Sequence, residues 1–389
     1  MVYYVHLPVL KRFKSLKKMP KKNITYILCN ISGYTQYISI ANSIDKDLFN
    51  LSFIFLDEST NALKASLMAS GIVCYQLDVR TKKDIPKAIY QAVKIFKKEN
   101  TSIVHTHLVN ASLVGLMAAK IRGINKRIHT RHHADFHHEH YKKGVMIDNF
   151  INYLSTNIIA ISKNVQSILE NKEKFHSGKV ELIYHGFNLV EFEDIPQKNV
   201  QKIKSTYNIT GFPVIGMISR YETGKGIEYC FLAFKKLLEE FPDARLIIAN
   251  AYGADKDSIT KFLHTLPAQN LTEIEFEKDV KALYKSFDIF VHVPSDATFE
   301  AFGQVYIEAM AASIPGVYTL SGIANEYIEN DKNAIVADYK NAEQIYSGIK
   351  KYLENTSFRE TIVATAKKDV AGIFSLDKMM SELTALYLK

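Results

Sequence analysis

Short runs of apolar, often β-branched residues alternate along most of the chain with longer segments in which apolar residues recur at helical spacing. Short apolar runs bounded by polar residues are typical of parallel strands that are covered on both faces. Strands that alternate with helices predict parallel βαβ units with right-handed crossovers. In the first half, the predicted strands are residues 24–29, 51–57, 72–78, 102–107, 127–131, 157–162 and 179–184, and the predicted helices include 36–43, 111–121 and 165–169.

The alternation stops in the polar segment 187–211, for which we predict a connection with one short helix, and it starts again at Pro213. This repeat predicts an α/β fold with two doubly wound, Rossmann-like domains that face a central cleft. We place the first domain at 23–190, the second at 191–375, and at 376–389 a terminal helix that crosses back to the first domain. In the second half, the predicted strands are 213–219, 244–250, 273–276, 289–293 and 334–337, and the predicted helices are 227–238, 342–353, 358–370 and 376–388.

Composition narrows the class of protein without changing this picture. A length of 389 residues fits two domains, and 47% apolar with 23% charged residues is ordinary for a soluble globular protein. The three cysteines lie far apart with no CxxC pair, which predicts neither a disulfide framework nor a zinc site. No apolar run reaches the ~18 residues that a transmembrane helix needs. We therefore expect a cytoplasmic protein.

The formal net charge of +8 is concentrated in a basic leader, residues 1–22. Val9, Leu10, Phe13 and Leu16 can share one helical face there, with the cations opposite, and that pattern suits an anionic membrane surface. A solvated leader without a binding role is the alternative. If the leader binds an anionic membrane surface, we expect the protein to lie peripherally on the inner face of the cell membrane. Nucleic acid is not an expected partner, because the rest of the chain is nearly neutral. The leader's cations are Lys11, Arg12, Lys14, Lys17, Lys18, Lys21 and Lys22.

The stretch 288–308 combines a strand, a polar loop and the start of a helix. In open α/β sheets that combination forms the crevice where ligands bind, and the unpaired amides of a helix start attract anions, phosphate above all. Glu300 and Glu308 lie beside this anion site and cannot serve the phosphate itself. We interpret the two carboxylates as acceptors of hydrogen bonds from sugar hydroxyls.

Two further loops follow predicted strands. In SRYETGKG, Arg220 and Lys225 offer cations for a diphosphate, and Gly224 and Gly226 let backbone approach closely. No Walker GxxxxGK[ST] pattern is present, and a surface turn with two solvated cations is the alternative. Gly33, after the first strand, marks a second close-approach loop that faces the same cleft, although a plain turn explains it too.

Histidines crowd the region 129–140. His133 and His137 are four residues apart, but HExxH is absent and no matching carboxylate or cysteine cluster accompanies them, so we expect no metal site. His132 lies just past a strand end, where its imidazole can bond a substrate hydroxyl. The other histidines of the region are interpreted as exposed loop residues. Helix capping explains Asp255 adequately.

These residues resemble the family 4 retaining glycosyltransferases of the GT-B fold. Three landmarks match in order: the Arg220/Lys225 loop, the Glu300–Glu308 pair with seven residues between, and a glycine-then-glutamate loop from Ser321-Gly322 to Glu326. The resemblance runs from about Asn23 to the C-terminus. It is weaker in the first half, where it rests on IVHTHL, the TRH step at 130–132 and IYHGFN.

The resemblance implies a retaining transferase that moves a sugar from a UDP- or GDP-sugar to a hydroxyl acceptor, a glycan or lipid-linked acceptor of bacterial surface polysaccharide or glycolipid synthesis. It also implies that no metal or other cofactor is needed. The implied roles are diphosphate neutralisation for Arg220 and Lys225, ribose binding for Glu308, donor-sugar binding for Glu300, amide contacts to donor sugar or phosphate from Phe302, Gly303 and Gln304, a donor-side loop at Gly33, and a place beside the reacting sugar for His132.

The chain departs from the family pattern at positions where glycine or proline is usual. Ala301, Ser32 and Ser321 add a Cβ where backbone must approach a ligand, and Asn325 replaces a common proline. Two other classes of function therefore stay open. One is a same-fold NDP-sugar epimerase or phosphorylase. The other is a basic protein that binds membranes or nucleic acid without activity.

Overall fold

The computed structural model describes residues 20–29, 35–57, 61–134, 137–138, 141–176 and 178–389. Most of the basic leader and the predicted close-approach loop at Gly33 lie outside these described residues. Lys22, which we assigned to the leader, already belongs to the first strand.

The first domain contains a seven-stranded, fully parallel sheet with the order β3-β2-β1-β4-β5-β6-β7. The strand order grows outward from β1 in both directions, so β1 and β4 flank the topological switch point, where such sheets bind ligands. The strands are β1 (Lys22–Leu28), β2 (Phe49–Phe55), β3 (Val73–Gln76), β4 (Ile103–His107), β5 (Lys126–Arg131), β6 (Asn157–Ala160) and β7 (Val180–Leu182).

The second domain repeats this architecture with a six-stranded parallel sheet in the order β10-β9-β8-β11-β12-β13. Its switch point lies between β8 and β11, and each of these strands leads into a loop that carries predicted site residues. Two doubly wound α/β domains confirm the predicted fold class. The strands are β8 (Val214–Ile218), β9 (Arg245–Ala249), β10 (Leu271–Ile274), β11 (Ile289–His292), β12 (Gly316–Tyr318) and β13 (Ile335–Val336).

Helices cover the sheets, and none of those described is long and apolar enough to cross a membrane. The helices are α1 (Thr35–Ser43), α2 (Asn61–Ala69), α3 (Ile85–Lys98), α4 (Val109–Arg122), α5 (Lys142–Leu154), α6 (Lys163–Ser167), α7 (Gln197–Thr206), α8 (Ile227–Glu240), α9 (Lys256–Leu263), α10 (Val280–Tyr284), α11 (Gln304–Ala311), α12 (Ala324–Tyr327), α13 (Ala342–Glu354), α14 (Thr356–Ile373) and α15 (Leu376–Leu388). The sequence pattern missed the three-residue strand β12 and the helices α3, α5, α10 and α12.

The last helix, α15, packs against the first domain. Tyr387 receives a hydrogen bond at its carbonyl from Lys22 Nζ at 2.8 Å, and its hydroxyl lies 2.5 Å from the Tyr26 hydroxyl and 2.7 Å from His105 Nδ1. All three aromatic rings are buried. The terminal helix therefore completes the core of the domain that begins the chain.

Candidate functional site

The loop between β8 and α8 holds the predicted cations at the carboxyl end of a central strand. Gly226 takes a left-handed φ of 74° just before α8, and a Cβ there would meet the Val293 carbonyl oxygen at 1.8 Å. The loop backbone thus packs directly on the segment that follows β11, which only glycine permits. Lys225 lies in this loop with 12% of its side chain exposed. Arg220 is exposed and pairs with Glu222, with 3.0 Å between Nη1 and Oε1.

Asp255 anchors this loop from the neighbouring connection. Its carboxylate accepts hydrogen bonds from the Thr223 amide at 2.6 Å and the Thr223 hydroxyl at 2.8 Å. Asp255 lies at the N-cap position of α9, as the sequence predicted, but its side chain makes no capping bond to that helix. The backbone bond from Thr223 lowers the pKa of Asp255. Asp255 therefore fixes the loop two residues before Lys225.

Glu300 and Lys225 form a half-buried ion pair across the switch point. The distance from Lys225 Nζ to Glu300 Oε1 is 2.7 Å, and His292 Nε2, at the end of β11, lies 3.2 Å from the same oxygen. Burial alone would raise the pKa of Glu300, but the Lys225 charge and the His292 hydrogen bond outweigh burial and lower it. Glu300 is thus held as a carboxylate. Sequence reasoning missed His292, because within β11 it is simply one position of a buried strand.

The backbone around Glu300 is fixed by one of the departures from the family pattern. The buried Ser321 hydroxyl accepts a hydrogen bond from the Glu300 amide at 3.0 Å. Gly303, at the N-terminus of α11, takes a φ of 88°, and a Cβ there would meet the Tyr306 ring at 2.6 Å. The serine that replaces a glycine therefore orients Glu300, and Gly303 lets α11 begin beside it.

Glu308 lies one turn into α11. Its carboxylate accepts hydrogen bonds from the Tyr284 hydroxyl at 3.0 Å and from Gln304 Nε2 at 2.5 Å. Burial raises the pKa of Glu308, and the bonds from Gln304 and Tyr284 oppose that shift only in part. Gln304, expected to contribute its amide, thus also orients Glu308 through its side chain.

Residues between Glu300 and Glu308 also join the two domains. The Ala301 carbonyl accepts a hydrogen bond from the Ser162 hydroxyl of the first domain at 2.7 Å. The Phe302 side chain is buried, and its ring lies 5.0 Å from the His185 ring in an edge-on contact. Ala301, where the family usually has glycine, is therefore a contact between the domains.

Glu326, the end of the glycine-then-glutamate landmark, bridges the domains as well. Its two carboxylate oxygens accept hydrogen bonds from the Lys163 amide at 2.7 Å and from the Tyr184 hydroxyl at 2.6 Å. Asn325 donates to the carbonyls of Ala297 and Gly322 at 3.2 and 3.3 Å. Glu326 thus joins the two domains, whereas Asn325 bonds two loops within its own domain.

His132 belongs to a column of aromatic rings on the first-domain side. Its Nε2 lies 2.9 Å from His107 Nδ1, and its ring stacks on His185 with 5.4 Å between centroids and 14° between planes. His185 in turn contacts Phe302 across the domain boundary. Burial and then the charge of His185 push the pKa of His132 well below its usual range, so its ring is neutral near pH 7. The structure therefore places His132 at the domain boundary, one ring from Phe302.

Four of the other five histidines of this region contradict the interpretation as exposed loop residues, and the fifth, His140, lies outside the described residues. His129 is buried and lies 2.9 Å from the Ser112 hydroxyl. His133 Nε2 and His137 Nδ1 lie 3.0 and 2.6 Å from Asp148 Oδ2, and His138 Nε2 lies 3.1 Å from Glu173 Oε1. A matching carboxylate, Asp148, therefore does accompany the histidine pair. It was missed because it lies in α5, which the pattern did not reveal.

Together these contacts set an ionised carboxylate, a lysine and the N-terminus of α11 at one switch point, with a wall of neutral imidazoles opposite. Such a site can hold a phosphorylated ligand and bond the hydroxyls of a sugar attached to it. Of the predicted site residues, the structure brings Lys225, Glu300, Gly303, Gln304 and Glu308 together on the second domain. Arg220 lies in the Lys225 loop but is directed at Glu222. Gly33 lies outside the described residues.

Comparison with known proteins identifies the class of protein to which this chain is similar. The model of "Glycosyltransferase Family 4" matches residues 69–191, and that of "Glycosyl transferases group 1" matches residues 199–369. The structure superposes on Anabaena Alr3699/HepE in complex with UDP and glucose with a TM-score of 0.79 at 18% identity, covering 94% of this chain and 99% of that one. Fold and site thus define a glycosyltransferase of the GT-B fold.

Two curated relatives agree with this class. An uncharacterized glycosyltransferase, MJ1607, of Methanocaldococcus jannaschii is 34% identical over 241 residues, 60% of each chain and so less than two thirds of that relative. The capsular polysaccharide biosynthesis glycosyltransferase CapM of Staphylococcus aureus is 25% identical over 308 residues, 77% of this chain and 80% of that protein. The two matched family segments fall in the two domains, and the chain belongs to the family 4 glycosyltransferases.

Proposed function

We propose that this glycosyltransferase transfers a sugar from a nucleotide-sugar to a hydroxyl acceptor with retention of configuration at the anomeric carbon. The observation that carries the proposal is the Glu300 carboxylate, held ionised by Lys225 and His292 beside the N-terminus of α11. Cation and carboxylate side by side suit a donor that carries a diphosphate next to a sugar.

The donor lies along α11 in this proposal. Lys225 and the first amides of α11 neutralise the diphosphate, and Arg220 joins them once it leaves Glu222. Glu300 bonds hydroxyls of the transferred sugar. Glu308, already oriented by Tyr284 and Gln304, binds the ribose hydroxyls. The negative charge of the leaving diphosphate is thus assigned to cations and helix amides, which stabilise it as it develops, rather than to a metal or other cofactor.

The reaction we propose is a same-face attack. The bond between the anomeric carbon and the diphosphate oxygen breaks, the acceptor oxygen bonds to that carbon on the same face, and the acceptor proton passes to the leaving phosphate oxygen. His132, neutral and bonded to His107, lies on the first-domain side, where it can bond a hydroxyl of the reacting sugar. Closure of the domains excludes water and so limits hydrolysis of the donor.

We propose UDP-sugars before GDP-sugars as donors and a glycan or lipid-linked acceptor of surface polysaccharide synthesis. The UDP complex of the Anabaena protein and the capsular role in the name of CapM support these choices.

The outer face of α4 and α5 supports a membrane-bound acceptor. The two helices pack side by side, and Met146, Phe150 and Tyr153 project from one side of α5 at a spacing of one helical turn. Their exposures are 74%, 43% and 67%, and Ile121 of α4 is 67% exposed. The only acid on the two helices, Asp148, is buried. Apolar side chains surrounded by cations favour an anionic lipid surface. The exposed cations are Lys120, Arg122, Lys142 and Lys143.

A ligand-dependent thermal shift tests the donor assignment. A ligand that binds only the folded protein raises the apparent Tm, so UDP, GDP, ADP and their sugars are compared on the full chain. We expect UDP and UDP-sugars to raise Tm, and Glu308→Ala to weaken nucleotide affinity at least about tenfold, which corresponds to about 1.4 kcal/mol. Glu360→Ala, an exposed glutamate of α14, is the matched control. Unchanged affinity in Glu308→Ala would remove Glu308 from the ribose site.

Vesicle flotation tests the membrane surface separately. The chain with Met146→Ser, Phe150→Ser and Tyr153→Ser is expected to float less with anionic vesicles than the natural chain, and equally little with neutral ones. Phe276→Ser removes a side chain of similar exposure, 72%, from the second domain and serves as control. Deletion of residues 1–22 separates the contribution of the basic leader. Equal flotation of the triple variant and the natural chain would contradict the assignment to α5.

A further inference from the structure

A buried charge cluster lies beside the carboxyl end of β5, apart from the proposed donor site. Arg131 Nη2 lies 3.0 Å from Asp148 Oδ2 and 2.9 Å from Glu173 Oε1, and the three side chains are at most 2% exposed. Two carboxylates face a single guanidinium, and their other close partners are imidazoles, which carry a charge only when protonated. Burying a charge is costly unless an opposite charge accompanies it.

Two imidazoles are directed at the same aspartate. His133 Nε2 and His137 Nδ1 lie 3.0 and 2.6 Å from Asp148 Oδ2, and these three atoms all lie within 4.8 Å of one another. The histidines come from the segment after β5, and the aspartate comes from α5. Because the side chains of His133 and His137 are 25% and 15% exposed, an ion can reach the cluster from solvent.

We propose that His133, His137 and Asp148 bind one divalent transition-metal ion, zinc in the first place, with water completing its coordination. Two imidazole nitrogens and one carboxylate oxygen form a ligand set that zinc accepts, whereas magnesium and calcium prefer oxygen alone. In a tetrahedral site with metal–ligand distances of ~2.0–2.2 Å, ligand atoms lie about 3.3–3.5 Å apart. The coordinating nitrogen of each histidine therefore has to move away from Asp148 Oδ2 by less than about 1 Å.

Unpartnered polar atoms in the same cluster point to a missing ligand. Asn152 follows Asp148 by one turn on α5, so the two share a face of the helix. Its Nδ2 donates to Glu173 Oε2 at 2.7 Å, but its buried Oδ1 has no hydrogen-bond partner among the described residues. A water bound to the ion would supply a donor for that oxygen.

Arg131 does not block the site, because it has a second carboxylate. The ion replaces the imidazole hydrogens that now face Asp148, while the guanidinium keeps its contact with Glu173. The Asp148 carboxylate faces the Arg131 guanidinium at 3.0 Å, and two imidazole nitrogens lie within hydrogen-bond distance of the same oxygen. Asp148 is thus a carboxylate, the form that a metal needs.

The ion has a structural role in this arrangement. It ties the segment 132–134 to α5 and so fixes the backbone on either side of His132. The reaction at the donor site does not depend on the ion for its charge balance, so metal binding and donor binding can be measured separately.

Isothermal titration with zinc, on full-length protein without a histidine tag and after chelation and dialysis, measures the site directly. We expect one zinc ion per chain and a raised Tm. Cobalt bound in its place should show the visible absorption of a tetrahedral nitrogen–oxygen site. His133→Gln and His137→Gln keep a group that can donate to Asp148, so both variants should fold. Each should weaken zinc binding by at least about tenfold, since even outer-shell changes cost that much.

His264→Gln is the matched control, because this exposed histidine also pairs with a carboxylate, Glu273, in the second domain. It should bind zinc as the natural chain does. Failure of the chelated natural chain to bind stoichiometric zinc would overturn the proposal and identify the cluster as a closed ion-pair network. Unchanged affinity in both glutamine variants would overturn it as well, because the ion would then be bound elsewhere.

Discussion

Glu300 shows how individual side chains tune one functional group. Lys225 and His292 contact the same carboxylate oxygen, and Ser321 holds the amide of Glu300. Desolvation on its own would favour the protonated acid, but two hydrogen bonds and one full charge outweigh it. The lowered pKa of Glu300 therefore depends on Lys225 and His292, while Ser321 fixes the backbone that positions the carboxylate.

Lys225→Ala separates the structural and functional parts of this pair. The substitution leaves a half-buried carboxylate with His292 as its remaining partner, at a cost of about 1–3 kcal/mol in the free energy of unfolding. The double variant Lys225→Ala with Glu300→Gln should recover most of that stability. Both variants should bind the nucleotide-sugar more weakly than the natural chain, because the cation for the diphosphate is absent from both.

Lys236→Ala, which breaks an exposed ion pair with Glu343, provides the control for both measurements. An exposed pair of this kind contributes little to the free energy of unfolding. Chemical denaturation and calorimetric titration with UDP-sugar give the two readouts. Wild-type nucleotide affinity in Lys225→Ala would exclude Lys225 from the diphosphate site.

At the scale of an element, the conformation of the loop between β8 and α8 depends on hydrogen bonds to a residue outside the loop. Asp255 accepts two hydrogen bonds from Thr223, so Asp255→Ala should loosen the loop that carries Lys225. We expect nucleotide affinity to fall severalfold with little change in stability, because the contacts are exposed. Asp257→Ala, in the first turn of α9, is the matched control. Equal affinity of the two variants would show that the loop holds its shape without Asp255.

The same loop shows where sequence reasoning works and where it stops. Glycines and cations directly after a buried strand predicted a close-approach loop at the switch point, because strand ends and helix starts meet there by topology. The structure has this loop, and its diphosphate role stays a prediction. The role of Asp255 was missed, because the hydrogen bonds to Thr223 join two connections 32 residues apart. The contacts that His292 and Ser321 make with Glu300 were missed for the same reason. Within a strand or a turn, nothing in the local pattern shows that a polar side chain faces a residue distant in sequence.

At the scale of the molecule, the two domains meet through residues that the sequence presented as separate motifs. Glu326 bonds Lys163 and Tyr184, Ala301 bonds Ser162, and Phe302 contacts His185. The alternation of strands and helices predicted both sheets, since each depends on repeated local units. The contacts between them depend on how two finished domains are placed, and no local period encodes that.

Buried histidines make the first domain sensitive to acid. Burial lowers the pKa of His105 and His129 to about 3 and that of His185 to about 4, against ~6.5 in an unfolded chain. Below pH ~6.5 the unfolded state therefore binds protons that the folded state does not. The stability contribution is complete above that pH and is lost as pH falls toward 4. Each histidine accounts for up to about 1.4 kcal/mol per pH unit.

Hydrogen exchange followed by mass spectrometry at pH 7 and pH 5 can locate this loss. After correction for intrinsic exchange rates, the free energy of opening should fall in β4 and β5 by several kcal/mol. Strands β8 and β9, which contain no histidine, should change less. His105→Gln should reduce the pH dependence in β4 by about one proton, whereas His264→Gln, exposed beside Glu273, should leave it unchanged. An equal loss in both domains would show that the charges of the whole chain govern acid stability, and not these buried rings.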